Sequence, residues 1–345
     1  MTHQHYPKIV YTALIAISTV LTGCKTTGSA EPTATSTKPV VTKGKTVKTQ
    51  CTHKGSKLLK SNKIVVEVMD PSHTDRYNTG VRFTPLAAVL SATISGQEFF
   101  SNPVEHNPET EHAGLATEFD LASPPPGFQE AKVGESFVKI GVGLLKKTTP
   151  TYQFWVKQVL VQPAPTTVSW EESSATFKQS CKGSGGYAYD LAAVVKVTDD
   201  AVSVTWTLTN TGSKPFTSST YTHNFFRFND LSVGPDYSVS FPFDYTASGL
   251  KEEQKQTART IAFNSEIPTY INAEVKTPAD YKGPNQFTVT HARTGQTLIG
   301  TTSIAGEKTA LHASKSYVCP EQFVDIPLKP KETKSWTRTY TLSIK

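Results

Sequence analysis

The sequence predicts a large antiparallel β-sandwich, and three observations predict it. Threonine, valine, tyrosine and phenylalanine replace the Ala-Glu-Lys-Leu mix of helical bundles, with 17 Phe, 13 Tyr and only two Met in 345 residues. Segments rich in β-branched and aromatic residues recur along the chain with no βαβ rhythm between them. Two segments alternate strictly. Val202, Val204, Trp206 and Leu208 face one way against Ser203, Thr205 and Thr207; Trp336, Arg338, Tyr340, Leu342 and Ile344 do the same against Thr337, Thr339, Thr341 and Ser343. Such alternation places one face on a core and one toward solvent, as antiparallel sheets do.

Taken in order, the chain opens with a short polar start (His3, His5, Lys8) and an apolar run from Ile9 to Leu21, closed by Leu21-Thr22-Gly23-Cys24. This resembles the bacterial lipoprotein signal, in which residues 1–23 are removed and Cys24 is lipidated as the mature N-terminus. Residues 25–50 lack aromatics and any strand or helix period, and their Thr, Ser, Pro, Gly and Lys content reads as a flexible tether spanning 24–50. Residues 1–50 hold six Lys and one Glu, which accounts for +5 of the formal net charge of +6. The body is therefore nearly neutral, and nothing in it points to nucleic acid. Past Cys24 no run of about 18 apolar residues occurs, so membrane contact is expected through the lipid alone.

From Cys51 to Lys345 one domain is expected, because no second linker divides it. Strands are predicted at Lys63–Met69, Ala87–Ile94, Tyr152–Val161, Tyr187–Val197, Val202–Leu208 and the C-terminus, with turns at Asp199-Asp200 and Asn210-Thr211-Gly212. Leu250–Arg259 reads as a short surface helix, Ser123–Gly127 as a loop, and Tyr152 and Trp155 as core residues. Beyond Cys24 there are three cysteines. Cys51 and Cys181 sit in polar segments where a bridge is plausible in an oxidising compartment, and Cys319 reads as a buried thiol. No CxxC pair, HExxH, P-loop, GxSxG or strand-bound GxGxxG occurs, so no metal and no cofactor are expected. The polar loop Glu105–His112 reads as solvated.

Two segments set an ionisable residue among aromatic neighbours: Tyr221-Thr222-His223-Asn224-Phe225-Phe226 and Tyr317-Val318-Cys319-Pro320-Glu321-Gln322-Phe323. With Leu208-Thr209-Asn210-Thr211-Gly212 and Pro215 before the first, and Leu328, Pro330, Glu332 and Tyr340 after the second, the order resembles the aldose 1-epimerase (galactose mutarotase) superfamily. Gly234-Pro235 and Phe241-Pro242-Phe243-Asp244 resemble that family's loop after its histidine strand. The resemblance is best over residues 187–244 and 284–344.

The resemblance implies a β-supersandwich, a general acid at His223 and a general base at Glu321, with polar atoms roughly 5–8 Å apart around a pyranose. It further implies substrate contacts at His112 (a partial match to a His-Gly-Gly segment) and at Asn285 in place of an aspartate; beside the resemblance, Arg82 is expected to offer its guanidinium to a hydroxyl or carboxylate and Glu118 to line the cleft. The implied activity is that of a lipid-anchored sugar-ring isomerase at the cell envelope, expected on the outer membrane facing the periplasm, with carbohydrate as partner. Two alternatives share the same residues: a non-catalytic carbohydrate-binding lipoprotein, and β-elimination at uronic acids.

Overall fold

A computed structural model of the chain describes residues 48–101, 107–121, 123–252, 254–306 and 308–345. The expectations for the leader, Cys24, most of the tether, Glu105 and His106 lie outside these residues. Two large sheets dominate. The first runs Ser56–Lys60, Ile64–Met69, Val89–Ile94, Leu115–Phe119, Phe216–Asn224 and Val324–Leu328, with the short Gln97–Glu98 strand beside Val89–Ile94. The second has ten strands, in the order Gln254–Gln256, Thr260–Phe263, Tyr237–Ser240, Asn285–His291, Gln296–Thr302, Thr333–Ile344, Ala201–Asn210, Tyr187–Val197, Ser174–Ser184 and Thr166–Trp170. A four-stranded sheet (Thr246–Ser248, Ile271–Lys276, Lys308–Ser314, Tyr317–Gln322) and a three-stranded one (Ser136–Lys139, Gly143–Lys146, Val159–Pro163) complete the set. Every strand pairing among the described residues is antiparallel. The sandwich is as expected.

The alternating segments build its core. Val202, Val204, Trp206 and Leu208 are buried, and Trp206 pairs in register with Trp336, also buried. From the opposing sheet Phe119 meets Trp206 edge-on at 5.5 Å, so the two inner faces interdigitate as in a sandwich core. On the outer face the Thr205–Thr337, Thr207–Ser335 and Thr209–Thr333 hydroxyl pairs hydrogen-bond across the same strands at 2.7–2.9 Å.

Several expectations need correction. Leu250–Arg259 is not a helix: Gln254–Gln256 forms a short edge strand against Thr260–Phe263, and the Thr257 hydroxyl accepts from the Thr260 N–H at the turn. Leu250 is the segment's only large apolar residue, too little to offset the nucleation cost of a helix this short. Tyr152–Gln158 is a loop, and the strand there is Val159–Pro163. Ala87 has φ of +52°, so its strand starts at Val89.

Cys51 and Cys181 form no disulfide. Cys181 points into the core from Ser174–Ser184, whereas exposed Cys51 donates its thiol to the Ser56 carbonyl at 3.4 Å. Lys48, expected in the tether, is already anchored: its Nζ lies 2.6 Å from Glu67. Buried Glu67 also accepts from the Thr52 and His53 N–H groups and the Ser56 hydroxyl, at 2.6–3.2 Å, which staples the incoming chain to the first sheet.

Candidate functional site

Two strand pairs carry Glu118, His223 and Glu321. Leu115–Phe119 pairs with Phe216–Asn224, and Lys308–Ser314 pairs with Tyr317–Gln322. Period-2 alternation then sorts the side chains. Tyr221 and His223 leave one face of their strand, and Thr220, Thr222 and Asn224 leave the other; Cys319 and Glu321 likewise separate from Val318, Pro320 and Gln322. In register, His223 faces Ala116 and Glu321 faces Ala310. Both ionisable groups thus stand beside a small cross-strand neighbour.

The histidine strand and the glutamate strand belong to different sheets, and groups behind them close the seam. A bridge joins Phe226 to Val318. Asn224 donates through Nδ2 to the Pro320 carbonyl at 2.5 Å, and its Oδ1 accepts from the Tyr340 hydroxyl at 2.9 Å. Buried Arg338 donates to the Thr220 carbonyl at 3.3 Å, the Gln322 carbonyl at 3.1 Å and the Thr302 hydroxyl at 3.2 Å. One guanidinium thus ties both strands from the core side.

The result is a direct contact. His223 Nε2 lies 3.3 Å from Glu321 Oε1, its Nδ1 lies 3.3 Å from Cys319 Sγ, and that thiol donates to Glu321 Oε1 at 3.4 Å. The pair is closer than the 5–8 Å expected around a sugar ring, and the Cys319 thiol touches both groups. Side-chain exposure is 13% for His223 and 3% for Glu321. His312 Nε2 approaches Glu321 Oε2 to 3.9 Å, with its ring 6.2 Å from that of His223. His112 lies on the other side, with ring centroids 4.6 Å apart. Its Nε2 is buried with no hydrogen-bond partner among the described residues.

Arg82, Glu118 and Tyr221 form a closed triangle beside the pair. Arg82 Nε donates to Glu118 Oε2 at 2.8 Å and Nη2 to the Tyr221 hydroxyl at 3.0 Å, while that hydroxyl donates to Glu118 Oε2 at 2.6 Å. Lys139, buried, approaches Glu118 Oε1 to 3.9 Å. Aromatic rings surround the pair: Phe225 stacks on His112 (4.3 Å) and on Tyr317 (4.1 Å), and Phe323 stacks on Tyr221 (4.8 Å).

Burial sets the protonation states. It pushes Glu321 up to about 8, with the Glu118 charge adding to the rise. It holds His223 well below its ordinary value, helped by His112, Arg82 and His312, and lowers His112 to about 3 and His312 to about 4. For Arg82, Glu118 and Tyr221 outweigh burial and keep the guanidinium above its ordinary value. At neutral pH the resting pair therefore carries its proton on Glu321, opposite to the imidazolium–carboxylate state implied by the resemblance. A low-dielectric site favours the neutral pair over the separated charges.

His223, Cys319 and Glu321 also present three donor atoms within 4.8 Å of one another, a spacing seen in metal sites. Here burial holds the Cys319 thiol well above its ordinary value, so the sulfur keeps the proton it donates to Glu321. Those contacts make a hydrogen-bonded cluster.

Of the residues singled out in the sequence, His223, Glu321, His112, Arg82 and Glu118 converge. Asn285 does not: its Oδ1 accepts from Gln322 Nε2 at 2.7 Å and its Nδ2 donates to the Ile304 carbonyl, on the far face of the glutamate strand. It supports that strand from behind. His312, Tyr221, Phe225, Tyr317 and Phe323 were not assigned a role from sequence. The polar His312 amid the alternating Ala310-Leu311-His312-Ala313 was the one available signal.

No protein-family model matches the chain, and no curated protein does. Solved structures do share its fold. A putative aldose 1-epimerase from Escherichia coli K12 superposes with a TM-score of 0.57 at 14% identity, over 84% of this chain and 99% of that one. A galactose mutarotase-like protein from Clostridium acetobutylicum gives 0.52 at 12% identity, over 84% and 95%. An aldose epimerase homologue from C. elegans gives 0.52 at 10%, over 84% and 99%. The architecture is the galactose mutarotase-like β-sandwich.

Proposed function

We propose that the chain is an exported, lipid-anchored sugar-ring isomerase of the aldose 1-epimerase type, with His223 and Glu321 as its proton-transfer pair. The observation that carries this reading is the 3.3 Å contact between His223 Nε2 and Glu321 Oε1. Anomer exchange needs one group that takes a proton and one that gives a proton, and this pair holds one between them. The aldose 1-epimerase-like fold, the buried and unpartnered His112 Nε2, and the aromatic walls agree with a pyranose as ligand.

In this scheme the sugar inserts between the two side chains, and their mutual contact gives way to two contacts of about 3 Å with sugar oxygens. Neutral His223 takes the proton of the C1 hydroxyl while Glu321 gives its proton to ring O5. The C1–O5 bond breaks, its electron pair stays on O5, and C1 becomes a carbonyl. After rotation about C1–C2, O5 attacks the other carbonyl face; O5 returns its proton to Glu321 and His223 returns the other to O1. Atoms and charge balance with no co-reactant. Arg82, fixed by Glu118, and His112 bind hydroxyls. The Leu21-Thr22-Gly23-Cys24 sequence supports export and lipid attachment, and with them a role at the cell envelope.

Exchange NMR on the anomeric protons of aldohexoses tests this. The wild type should accelerate exchange, and Glu321→Gln or His223→Ala should slow it by roughly 10²–10⁴-fold. Saturable binding of the same sugars without any acceleration would leave a binding protein and overturn the catalytic reading.

A further inference from the structure

The loop between Gly143–Lys146 and Val159–Pro163 borders the candidate site. Three contacts tie it to the rest of the fold. The Tyr152 hydroxyl accepts from Lys139 at 3.0 Å, and the Phe154 ring covers the Arg82 guanidinium at 4.5 Å. Lys157 pairs with Glu109 at 2.6 Å, and within the loop buried Gln158 donates to the Val156 carbonyl at 3.2 Å. Between these ties Trp155 projects outward, 59% exposed, its ring edge-on to Phe154 at 4.9 Å. Trp206 and Trp336 are buried and Trp170 is half-buried. The expectation that Trp155 packs the core is therefore corrected: three neighbours, Tyr152, Phe154 and Gln158, take up the inward positions.

An indole kept in water by a fixed loop forfeits hydrophobic stabilisation, which stacking against an apolar face would recover. The C–H face of a pyranose is such a surface, and the loop's three ties to the fold mean that little ordering remains to be done on binding. Contact is continuous from Trp155 through Phe154 to Arg82, and from Arg82 through Tyr221 to the His223 ring at 6.1 Å. The cations near that path already face carboxylates, Arg82 and Lys139 with Glu118 and Asp120, and Lys157 with Glu109. The path therefore suits a neutral saccharide rather than a polyuronide.

We propose that Trp155 is an outer platform that stacks the second ring of a neutral reducing oligosaccharide whose terminal ring occupies the His223–Glu321 site. The proposal rests on the ring-opening reading and narrows its substrate class from a single hexose to a glycan end.

The test compares full-length wild type, Trp155→Ala and Trp155→Phe on glucose and galactose against maltose, cellobiose and lactose, with digalacturonic acid as the charged probe. The readout is kcat/KM for anomer exchange, with the calorimetric association constant measured on the same samples. Wild type should prefer at least one neutral disaccharide over its monosaccharide by about 5–10-fold. Trp155→Ala should bring that ratio to about one, and Trp155→Phe should keep most of it. Equal ratios in wild type and Trp155→Ala, or a preference for the digalacturonate, would overturn the proposal. So would an effect that tracks loss of a dimer in sedimentation, since exposed Val159, Leu160 and Val161 lie on the neighbouring edge strand. If no sugar shows accelerated exchange, the ring-opening reading fails alone, and the association-constant ratios still decide the role of Trp155.

Discussion

Glu321 is costly to hold ionised, and that cost has a measurable sign. Its folded-state pKa is raised to about 8, chiefly by burial and further by the Glu118 charge, against the lowering effects of the Cys319 thiol and Arg82. An unfolded glutamate ionises near its ordinary value of 4.5, whereas the folded one keeps its proton until about pH 8. The folded state binds more protons in that window, so Glu321's contribution to stability is full below 4.5 and is lost as pH rises toward 8. Glu321→Gln removes the dependence. Its stability relative to wild type should grow between pH 5 and pH 8 by up to about 4 kcal/mol, at about 1.4 kcal/mol per pH unit. Denaturant melts at the two pH values measure this, and a pH-independent difference would contradict the assignment. At this scale His223 and Glu321 were legible because each sits in a short, distinctive polar-aromatic motif. Asn285 was misread because sequence does not say which face of a neighbouring strand a residue supports. His312 and the aromatic walls went unassigned because alternating Ala and His, or scattered Phe and Tyr, look the same in any sandwich.

The elements that matter most are the two strands that meet without a regular ladder, Phe216–Asn224 and Tyr317–Gln322. Arg338 joins them through the Thr220 and Gln322 carbonyls. Arg338→Ala should cost about 2–4 kcal/mol, from the cavity and the two carbonyls left without this donor. The surviving folded protein should also lose anomer exchange by tenfold or more, because the pair would drift apart. Urea melts and exchange rates below the melting range check both; unchanged activity at reduced stability would restrict Arg338 to the core. Gly114 acts at the same scale. Its φ of +53° and a Cβ position only 2.1 Å from the Val89 carbonyl exclude a side chain where the backbone carries His112 toward His223. Strand identity was legible wherever alternation was strict, as in Ala201–Asn210 and Thr333–Ile344. It failed at Leu250–Arg259, where charged residues mimicked a helix, and at Tyr152–Gln158, where aromatic content mimicked a strand that tertiary ties turned into a loop.

For the molecule as a whole, the sandwich class followed from composition and period. The meeting of the histidine strand and the glutamate strand from two different sheets did not, because the pairing of distant strands is written in tertiary contacts. The proposed lipid anchor belongs to this scale too. Cys24→Ala should abolish metabolic labelling with a fatty acid and release the protein from the membrane fraction; labelling that persists in the variant would contradict the anchor. The central claim is that His223 and Glu321 share one working proton, and the pH profile of anomer exchange reads that proton directly. The wild-type rate should hold across neutral pH, fall above about pH 8 as Glu321 ionises, and fall in acid only well below the ordinary histidine pKa as His223 protonates. Glu321→Gln should leave a slow residual rate that lacks the fall near pH 8. A wild-type rate that rises through pH 8, or an alkaline limb that survives in Glu321→Gln, would contradict the account.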